Sequence, residues 1–359
     1  MKITKTSYFS YRLKGLPKGC QQCVRGEKLV LFVTGVCPRR CYYCPISDQK
    51  SQKDVTYANE RPVTDHSARQ ITEEARLCGS KGAGFTGGDP LARLDRTINY
   101  IKTLKKAFGK RFHIHLYTSL NLVTPAVLKR LHEAGLDEIR FHPDLDNDQL
   151  WEKIVLAKGL GWDVGVEIPA IPGKLRETKR LMEFLDGKIK FLNINELELS
   201  DGKASSLSEL GYMSKDYLSY GVKGSDNMAK ELLKHALKKR LRYSVHYCTA
   251  KLKDKVQLAN RIKRRGKNVK KKYDVLTSEG LLQRGAIYGK NLAGVRRWLV
   301  SDIGVPADLV ETDKERQRLL TNAGVVMNLV DELKKKGMKP AIVTEYPTWD
   351  RLTIETDWL

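Results

Sequence analysis

Three cysteines that lie close together give the clearest chemical signal in the chain. Cys37, Cys41 and Cys44 form a C-x3-C-x2-C array in the segment TGVCPRRCYYCP. Three thiolates in one loop can bind three irons of a [4Fe–4S] cluster, which leaves the fourth iron open for a ligand. The alternatives are a zinc site that lacks its fourth ligand, or three unrelated core cysteines. The spacing favours the cluster, because it is more specific than a single C-x2-C pair.

Two further motifs follow the ends of predicted strands. The first is Gly-Gly-Asp-Pro, comprising Gly87, Gly88, Asp89 and Pro90. Its glycines let the backbone approach a ligand closely, and its carboxylate can pair with an ammonium group. The second is YTSLN at 117–121, whose short polar side chains could bind ribose hydroxyls or cap the following loop. Those side chains belong to Thr118, Ser119 and Asn121.

Strands and helices alternate along the segment that carries these motifs. The patterns predict strands at 28–34, 82–86, 112–117, 137–141, 163–168, 190–196 and 242–246. They predict helices at 67–78, 93–108, 125–134, 148–158, 175–185 and 227–240. This rhythm is typical of a parallel sheet with helical crossovers, and six or seven such units favour a partial to near-complete (β/α) barrel.

The predicted strands have one apolar and one polar face, because successive side chains of a strand point to opposite sides. Phe112, Ile114 and Leu116 alternate with polar residues, and the next two strands repeat the pattern. The polar side includes His113, His115, Tyr117, Glu138, Arg140, His142 and Glu167. A purely structural barrel interior is filled by branched apolar residues. We therefore expect a barrel that encloses a polar ligand, the alternative being a solvent-facing sheet surface.

The cysteine array, its place after the first strand and the aromatic Tyr43 before the third cysteine resemble the radical S-adenosylmethionine (SAM) superfamily. The resemblance covers roughly residues 28–248. It implies a [4Fe–4S] cluster whose open iron chelates S-adenosylmethionine, and reductive cleavage to a 5′-deoxyadenosyl radical that abstracts hydrogen from a substrate. The family usually has Gly-Gly-Glu-Pro where this chain has Asp89, so either the shorter side chain or a backbone carbonyl contacts the methionine amino group.

The same resemblance implies a set of cofactor-binding residues and a branch of the superfamily. The cofactor-binding set comprises Gly87, Gly88, Asp89, Pro90, Tyr43, Thr118, Ser119, Asn121, Arg140, His142 and Glu167. Arg140, His142 and Glu167 are candidates for binding the methionine carboxylate, the ribose or the substrate, and barrel salt bridges are the alternative for all three. The layout resembles the branch near pyruvate formate-lyase activating enzyme, and the whole chain resembles an archaeal group related to that activase.

Four cysteines lie outside the array. Cys20 and Cys23 form a C-x2-C pair just before the first strand, and Cys248 follows the last one. If the N-terminal arm folds over the barrel, these three could hold a second iron–sulfur cluster or zinc; a redox pair or plain core cysteines are the alternatives. Cys248 could instead be a catalytic thiol. Cys78 is expected to be a buried structural thiol.

The charge of the chain is strongly basic. Sixty-five Lys and Arg against 42 Asp and Glu leave a formal charge of +23. Part of the excess lies in 251–273, and such density can neutralise phosphates, although a charge run is often a solvated helix face. The candidate RNA-binding residues are Lys263, Arg264, Arg265, Lys270, Lys271 and Lys272, with Tyr273 available to stack on bases.

Four segments are expected: an N-terminal arm (1–27), the barrel (28–250), a basic helix or linker (251–273) and a small α+β domain (274–359). In the last segment, Thr312 and Glu315 have capping-box spacing, which predicts a long helix that ends near Gly337. No stretch is apolar and long enough to span a membrane, and clustered, odd-numbered cysteines favour metal ligation in a reducing, cytoplasmic compartment.

Three functional hypotheses remain. The first is a radical SAM enzyme that modifies a tRNA nucleoside, for example by methylation, and draws electrons from a donor such as ferredoxin. The second is an activating enzyme that installs a glycyl radical in a protein. The third is an RNA-binding module with a merely structural cluster.

Overall fold

The computed structural model describes residues 2–217 and 219–359. The chain divides into two compact units. Unit 1 comprises the chain up to Arg76 and Ser80–Leu258, and unit 2 comprises Leu77–Gly79 and Ala259–Leu359. The N-terminal arm therefore belongs to the barrel unit, and the division after Leu258 falls inside the predicted basic linker.

Unit 1 contains thirteen strands among its described residues. They are β1 (Ile3–Lys5), β2 (Tyr11–Leu13), β3 (Lys28–Phe32), β4 (Tyr57–Ala58), β5 (Arg61–Pro62), β6 (Gly82–Thr86), β7 (His113–Thr118), β8 (Glu138–Phe141), β9 (Asp163–Ala170), β10 (Phe191–Glu196), β11 (Ser214–Asp216), β12 (Ser219–Val222) and β13 (Ser244–Cys248). The α-helices are α1 (Lys18–Val24), α2 (Ala68–Leu77), α3 (Leu94–Phe108), α4 (Pro125–Glu133), α5 (Leu175–Phe184), α6 (Ser225–Lys238) and α7 (Ala250–Leu252). A π-helix follows at Lys253–Leu258.

Eleven of these strands form one sheet in the order β1-β2-β13-β10-β9-β8-β7-β6-β3-β4-β5. The seven strands from β3 to β13 that build its centre pair in parallel and lie in chain order. Antiparallel strands flank both edges. Among the described residues the outermost strands, β1 and β5, do not pair with each other, so the sheet is open. The predicted partial (β/α) barrel is confirmed.

The faces of the central strands follow the predicted alternation. Ile114, Leu116, Ile139, Phe141, Val166 and Ile168 are all buried in one continuous apolar core. The opposite faces bring His113, His115, Glu138 and Arg140 into the barrel interior, where each is also buried. Two layers of opposite polarity therefore line the same strands, as period-two alternation requires.

Helix α1 fills the lower part of this polar interior, by which we mean the end at the amino termini of the central strands. This placement of the helix was not predicted from the sequence. The backbone N–H of Gly19 donates to the Glu138 carboxylate at 3.2 Å, and Gln22 donates to the carbonyl of Lys81 near the start of β6. Strand β2 pairs with β13 and anchors the arm. The N-terminal arm thus completes the barrel interior from below.

One predicted helix has a different form. The segment predicted at 148–158 is a 3₁₀-helix at Trp151–Ala157. Its buried residues are Trp151, Ile154 and Ala157, which recur every third position. Three residues per turn place them on one face, so the apolar spacing suits a 3₁₀-helix better than an α-helix.

Unit 2 is a small α+β unit. Its strands are β14 (Val275–Leu276), β15 (Leu282–Tyr288), β16 (Glu311–Asp313), β17 (Arg318–Thr321), β18 (Lys339–Glu345) and β19 (Thr353–Trp358). Its α-helices are α8 (Ala259–Val269), α9 (Leu292–Arg297), α10 (Ala323–Asn328) and α11 (Val330–Lys335). The sheet order is β16-β17-β15-β18-β19, with β14 beside β15.

The long helix predicted from Thr312 is wrong. Thr312 lies in β16 and pairs with Leu319, and Glu315 forms an ion pair with Arg351 instead of capping a helix. Arg318 is buried between Asp313 and Glu345, and this ionic contact favours a hairpin over a helix. Only the end of the prediction is correct, since α11 stops before Gly337, whose φ is +73°.

None of the helices formed by residues 2–217 and 219–359 is long and apolar enough to cross a membrane.

Candidate functional site

A cavity of about 1400 Å³ opens at the carboxyl ends of the central strands of unit 1. The cluster loop, which we define as residues 33–56, forms one wall together with the three cysteines of the array. The other walls include Gly87, Gly88, Thr118, Ser119, His142, Glu167 and Asn195. Most of the predicted site residues therefore meet in one place, where parallel α/β folds ordinarily bind their ligands.

The cluster loop is closed at its base by backbone hydrogen bonds around Gly35. Its N–H donates to the carbonyl of Lys53 at 2.8 Å, and its carbonyl accepts from Gln52 at 3.0 Å. A Cβ at position 35 would lie 1.6 Å from the carbonyl oxygen of Lys50. Only glycine fits such an approach, so Gly35 fixes the shape of the loop.

The Gly-Gly-Asp-Pro motif is bound to the start of this loop. Gly88 N–H donates to the carbonyl of Thr34 at 2.8 Å, and Asp89 N–H donates to that of Val36 at 2.9 Å. A Cβ at Gly87 would lie 2.2 Å from the Thr34 carbonyl oxygen. The glycines thus let two backbone segments touch, which sets the cysteine array against the end of β6.

The three cysteines of the array are half-buried free thiols that line the cavity. Burial raises the pKa of Cys37 to about 11, so cluster binding must displace its proton. Among the residues that the structure describes, no three His, Cys, Asp or Glu side chains converge tightly enough to hold a metal ion. The three thiols fit a cluster by chemistry and by their shared loop, and they would turn toward one another to bind it.

Asp89 does not line the cavity. Its side chain is fully buried and accepts from Leu91 N–H at 3.0 Å, Ser119 N–H at 3.0 Å and Ser119 Oγ at 2.7 Å. Thr118 Oγ1 lies 2.8 and 3.0 Å from its two oxygens. Burial raises the pKa of Asp89, and these donors oppose the rise. The expectation of a direct pairing between this carboxylate and an ammonium group is therefore not supported by its placement.

Two other predicted residues also lie away from the cavity. Pro90 is buried and begins a 3₁₀ turn for which Asp89 is the N-cap. Asn121 is exposed, and its backbone carbonyl accepts from Lys153. The alternative that Asn121 belongs to the following loop is the one that the structure supports.

Arg140 is buried beneath the cavity, and all of its N–H donors have partners. Nε donates to Glu138 at 2.6 Å, and Nη1 donates to Glu167 at 2.8 Å and to Tyr117 at 2.9 Å. Nη2 contacts Glu138 at 2.5 Å and Cys20 Sγ at 3.6 Å. A guanidinium has five N–H donors, so none is left for a ligand. Arg140 forms barrel salt bridges, and its placement does not support the expectation that it binds the cofactor.

Glu167 is the charged side chain that this network presents to the cavity. Its Oε2 accepts from Arg140 and from Asn193 at 2.8 Å, and Oε1 accepts from Asn195 at 2.9 Å. Burial opposes ionisation, but Arg140 and the amide donors outweigh it, so the pKa of Glu167 lies below its ordinary value. Asn193 and Asn195 were not among the predicted site residues, although their alternation in FLNINE places both on the interior face.

His142 joins this wall to the cluster loop. Its Nδ1 lies 2.7 Å from the Glu167 carbonyl, and its Nε2 lies 2.9 Å from Tyr43 Oη. A carbonyl only accepts, so Nδ1 carries the hydrogen and Tyr43 donates to Nε2. Arg39, from the same loop, donates to the His142 carbonyl at 2.8 Å. Tyr43 and His142 therefore hold the array against the barrel wall.

Comparison with known proteins identifies the family. Residues 31–156 match the profile of the radical SAM superfamily. The chain is 40% identical to a Methanocaldococcus jannaschii protein provisionally named as a glycyl-radical enzyme activating enzyme, over 97% of this chain and 94% of that protein.

The chain belongs to the radical SAM superfamily.

Other matches of this radical SAM enzyme are shorter or more distant. A biotin synthase from Thioalkalivibrio sulfidiphilus is 30% identical over 32% of each chain. The structure of methylornithine synthase is 14% identical, with a TM-score of 0.41 over 63% of this chain and 70% of that one. The structure of the methyltransferase TsrM from Kitasatospora setae, with tryptophan and a SAM analogue bound, is 14% identical. Its TM-score is 0.36, over 51% of this chain and 39% of that one. At these scores neither structure bears on the function of this chain.

Residues 280–357 match a domain family of unknown function (DUF8061). Membership of the superfamily implies a [4Fe–4S] cluster and S-adenosylmethionine as cofactors. The recognition of the family, its fold and these cofactors from the sequence is thereby confirmed, and the merely structural cluster is not favoured.

Three of the additional cysteines of this radical SAM enzyme, Cys20, Cys23 and Cys248, lie inside the barrel, and among the described residues they form no metal site. Cys20 accepts from Asn193 Nδ2 at 3.1 Å, and Cys23 lines the cavity. Cys248 is buried, accepts from Gln257 Nε2 at 3.7 Å and does not line the cavity, and burial raises its pKa to about 12. A catalytic role for Cys248 is therefore not supported by its placement, and a second metal site remains a prediction.

The predicted RNA-binding residues do not act as one set. Arg265 is buried, and Arg264 donates to the carbonyl of Gly79 within unit 2. Tyr273 is also buried and donates to Glu311 at 2.8 Å, so it is not available for base stacking. The exposed members of the set are Lys263, Lys270, Lys271 and Lys272, of which Lys271 and Lys272 have acidic partners.

Proposed function

We propose that this radical SAM enzyme activates a protein partner by removing a hydrogen atom from a backbone glycine. The provisional name of the M. jannaschii relative supports this proposal, because that relative aligns with almost the full chain. The observation on this structure that carries it is the size and openness of the cavity beside the cysteine array.

The cavity has room for more than the cofactors. Sites for small molecules ordinarily measure about 300–1,000 Å³, and this one measures about 1400 Å³. S-adenosylmethionine bound against the array would occupy only part of it. The remaining space suits an extended polypeptide segment.

A surface segment that adjoins the cavity exposes apolar side chains. Four side chains between Leu210 and Tyr220 are exposed by 58–94%, and they belong to Leu210, Met213, Tyr217 and Tyr220. Tyr220 also lines the cavity. The backbone here is paired with the cavity wall, since Leu199 N–H donates to the Tyr220 carbonyl at 2.7 Å. Exposed apolar residues in a segment that adjoins a site suit a protein partner better than a nucleic acid.

The residues of this chain would divide the work of cofactor binding. Cys37, Cys41 and Cys44 would hold the cluster, and Glu167 and the hydroxyls at 118 and 119 would hold the polar groups of S-adenosylmethionine. Bound together and reduced by a donor such as ferredoxin, these cofactors supply a 5′-deoxyadenosyl radical that abstracts hydrogen.

The test is anaerobic incubation of the reconstituted enzyme with S-adenosylmethionine, a reductant and candidate glycyl-radical-type proteins. We expect about one 5′-deoxyadenosine per activated partner and a persistent radical by electron paramagnetic resonance (EPR). A partner produced with α-deuterated glycine should show a collapsed hyperfine doublet and deuterated 5′-deoxyadenosine. Cleavage of S-adenosylmethionine without any persistent protein radical would count against the proposal.

RNA modification is the second candidate, and the +23 charge is the observation that favours it. The comparisons add no support for an RNA partner. Filter binding of total tRNA across a salt series tests it, because phosphate contacts give a steep loss of affinity with salt. Affinity that does not change with salt would exclude this candidate without affecting the first.

A further inference from the structure

The geometry assigns to Asp89 a positioning role: its carboxylate holds the hydroxyls of Thr118 and Ser119 and does not itself contact S-adenosylmethionine. The inference depends on membership of the radical SAM superfamily and not on the identity of the substrate. It concerns the position where this chain departs from the Gly-Gly-Glu-Pro pattern.

Both oxygens of the Asp89 carboxylate are fully occupied by hydrogen-bond donors of the protein. Each oxygen of Asp89 accepts one backbone N–H, from Leu91 or from Ser119, and the hydroxyls of Thr118 and Ser119 occupy the remaining directions. The side chain is 0% exposed, whereas its neighbours Gly87 and Gly88 line the cavity. A ligand could reach this carboxylate only if it displaced existing partners.

The hydroxyl groups of Thr118 and Ser119 present lone pairs, and not hydrogens, to the cavity. A hydroxyl has one hydrogen to donate and two lone pairs to accept. Ser119 Oγ donates its hydrogen to Asp89 at 2.7 Å. Thr118 Oγ1 lies 2.8 Å from the same carboxylate and 2.9 Å from the Ser119 carbonyl, and both of these groups only accept, so its hydrogen is also taken by the protein. Both residues line the cavity. They therefore offer acceptors to the cavity, which suits a ligand group that donates, such as an ammonium or a ribose hydroxyl.

The fixed backbone of the Gly-Gly-Asp-Pro motif favours aspartate over glutamate at position 89. The backbone N–H groups of Gly88 and Asp89 donate to the carbonyls of Thr34 and Val36, so the motif cannot move away from the cluster loop. With the backbone fixed, the aspartate side chain has the length that brings its oxygens within hydrogen-bonding distance of the backbone N–H groups of Leu91 and Ser119. One more methylene would carry the carboxylate about 1.5 Å beyond these donors. Asp89 thus connects the base of the cysteine array to the end of β7.

The test measures the affinity of the cluster-loaded enzyme for S-adenosylhomocysteine by calorimetry. Ser119→Ala should weaken binding about tenfold, the effect expected for loss of one good hydrogen bond. Asp89→Asn should weaken it at least as much, and adding Ser119→Ala to that variant should cost less than about twofold more. Asp148→Asn, which removes an exposed carboxylate paired with Arg180, is the matched control and should leave affinity unchanged.

Asp89→Glu decides between positioning and direct contact. A direct contact predicts that the glutamate variant binds S-adenosylhomocysteine as tightly as the wild type, and that the losses of Asp89→Asn and Ser119→Ala multiply. A positioning role predicts that Asp89→Glu binds at least tenfold more weakly than the wild type. It also predicts that the losses of affinity in Asp89→Asn and Ser119→Ala do not multiply when the two substitutions are combined. The EPR spectrum of the reduced cluster without ligand should be the same in all variants, and only its change on ligand addition should diminish.

Thr118 provides the test if substitutions at Asp89 prevent folding. Thr118→Ser keeps the hydroxyl and should retain wild-type affinity, whereas Thr118→Val removes it and should bind about tenfold more weakly. Equal affinity of the two variants would overturn the inference, because it would show that the hydroxyl held by Asp89 has no role in binding.

Discussion

Gly19 lies directly against the buried guanidinium of Arg140. A Cβ at position 19 would come within 2.4 Å of Arg140 Nη2 and 2.8 Å of a Glu138 oxygen. Helix α1 can therefore enter the barrel only because this position has no side chain. The contact links the N-terminal arm to the ion pairs that hold Glu167 at the cavity.

Gly19→Ala should destabilise unit 1 although alanine is the better helix former. Overpacking of a buried contact costs about 1–3 kcal/mol, which exceeds the gain of about 1 kcal/mol in helix propensity. Chemical denaturation of the cluster-free protein measures the change. Gly15→Ala is the matched control, since nothing lies within 4 Å of a Cβ there. Equal stability of the Gly19 variant and the wild type would show that α1 does not occupy the barrel as described.

Periodicity was sufficient to predict the barrel. The alternation of His113, Ile114 and His115 required one polar and one apolar face, and the apolar face is indeed the core. The cysteine array and the glycines of the next motif also meet as expected, because carboxyl ends of parallel strands share one edge.

Sequence spacing could not show which polar residues face a ligand and which satisfy one another. Arg140 and Glu167 are equally polar and occur on adjacent strands, yet only Glu167 reaches the cavity. The difference arises from α1, whose insertion from below buries Arg140. Thr312 illustrates the same limit in unit 2, where a local capping pattern is overridden by the long-range pairing of Arg318 with Glu345.

Arg140→Met should be strongly destabilising. It would leave the carboxylate of Glu138, which is fully buried, without its cation, and removing one partner of a buried ion pair costs about 3–5 kcal/mol. Arg176→Met is the control, because Arg176 is 95% exposed and its contact with Glu177 is 3.9 Å long. Exposed pairs contribute about 0–1 kcal/mol, so urea midpoints should separate the two variants clearly. Similar midpoints would contradict the assignment of Arg140 as the centre of the buried network.

His142 should make stability depend on pH below neutrality. Burial lowers its pKa to about 4, and its acceptor nitrogen takes the Tyr43 hydrogen bond. Between pH 4 and about 6.5 the unfolded chain binds the proton that the folded chain excludes, so stability falls as the pH is lowered through this window. The contribution is up to about 1.4 kcal/mol per pH unit.

The measurement compares the pH dependence of unfolding in His142→Gln and in the wild type, both without the cluster. The variant should show a shallower loss of stability between pH 6.5 and 4. Asn121→Ala, which removes an exposed side chain that does not titrate, is the control, and its slope should match that of the wild type. An unchanged slope for His142→Gln would mean that the imidazole is protonated or exposed in the folded state.

The iron and zinc content of cysteine variants should show that the cysteine array binds the cluster and that the cysteines inside the barrel do not. After anaerobic reconstitution the wild type should contain about four irons per chain, as a single [4Fe–4S] cluster requires. Replacing Cys37, Cys41 and Cys44 with alanine should remove this iron, and replacing Cys20 and Cys23 with serine should leave it, since no third ligand converges on that pair among the described residues. Cys78→Ser is the control for loss of a buried thiol. Stoichiometric zinc or iron that survives the triple alanine substitution and disappears with Cys20 and Cys23 would instead establish a second metal site within the barrel.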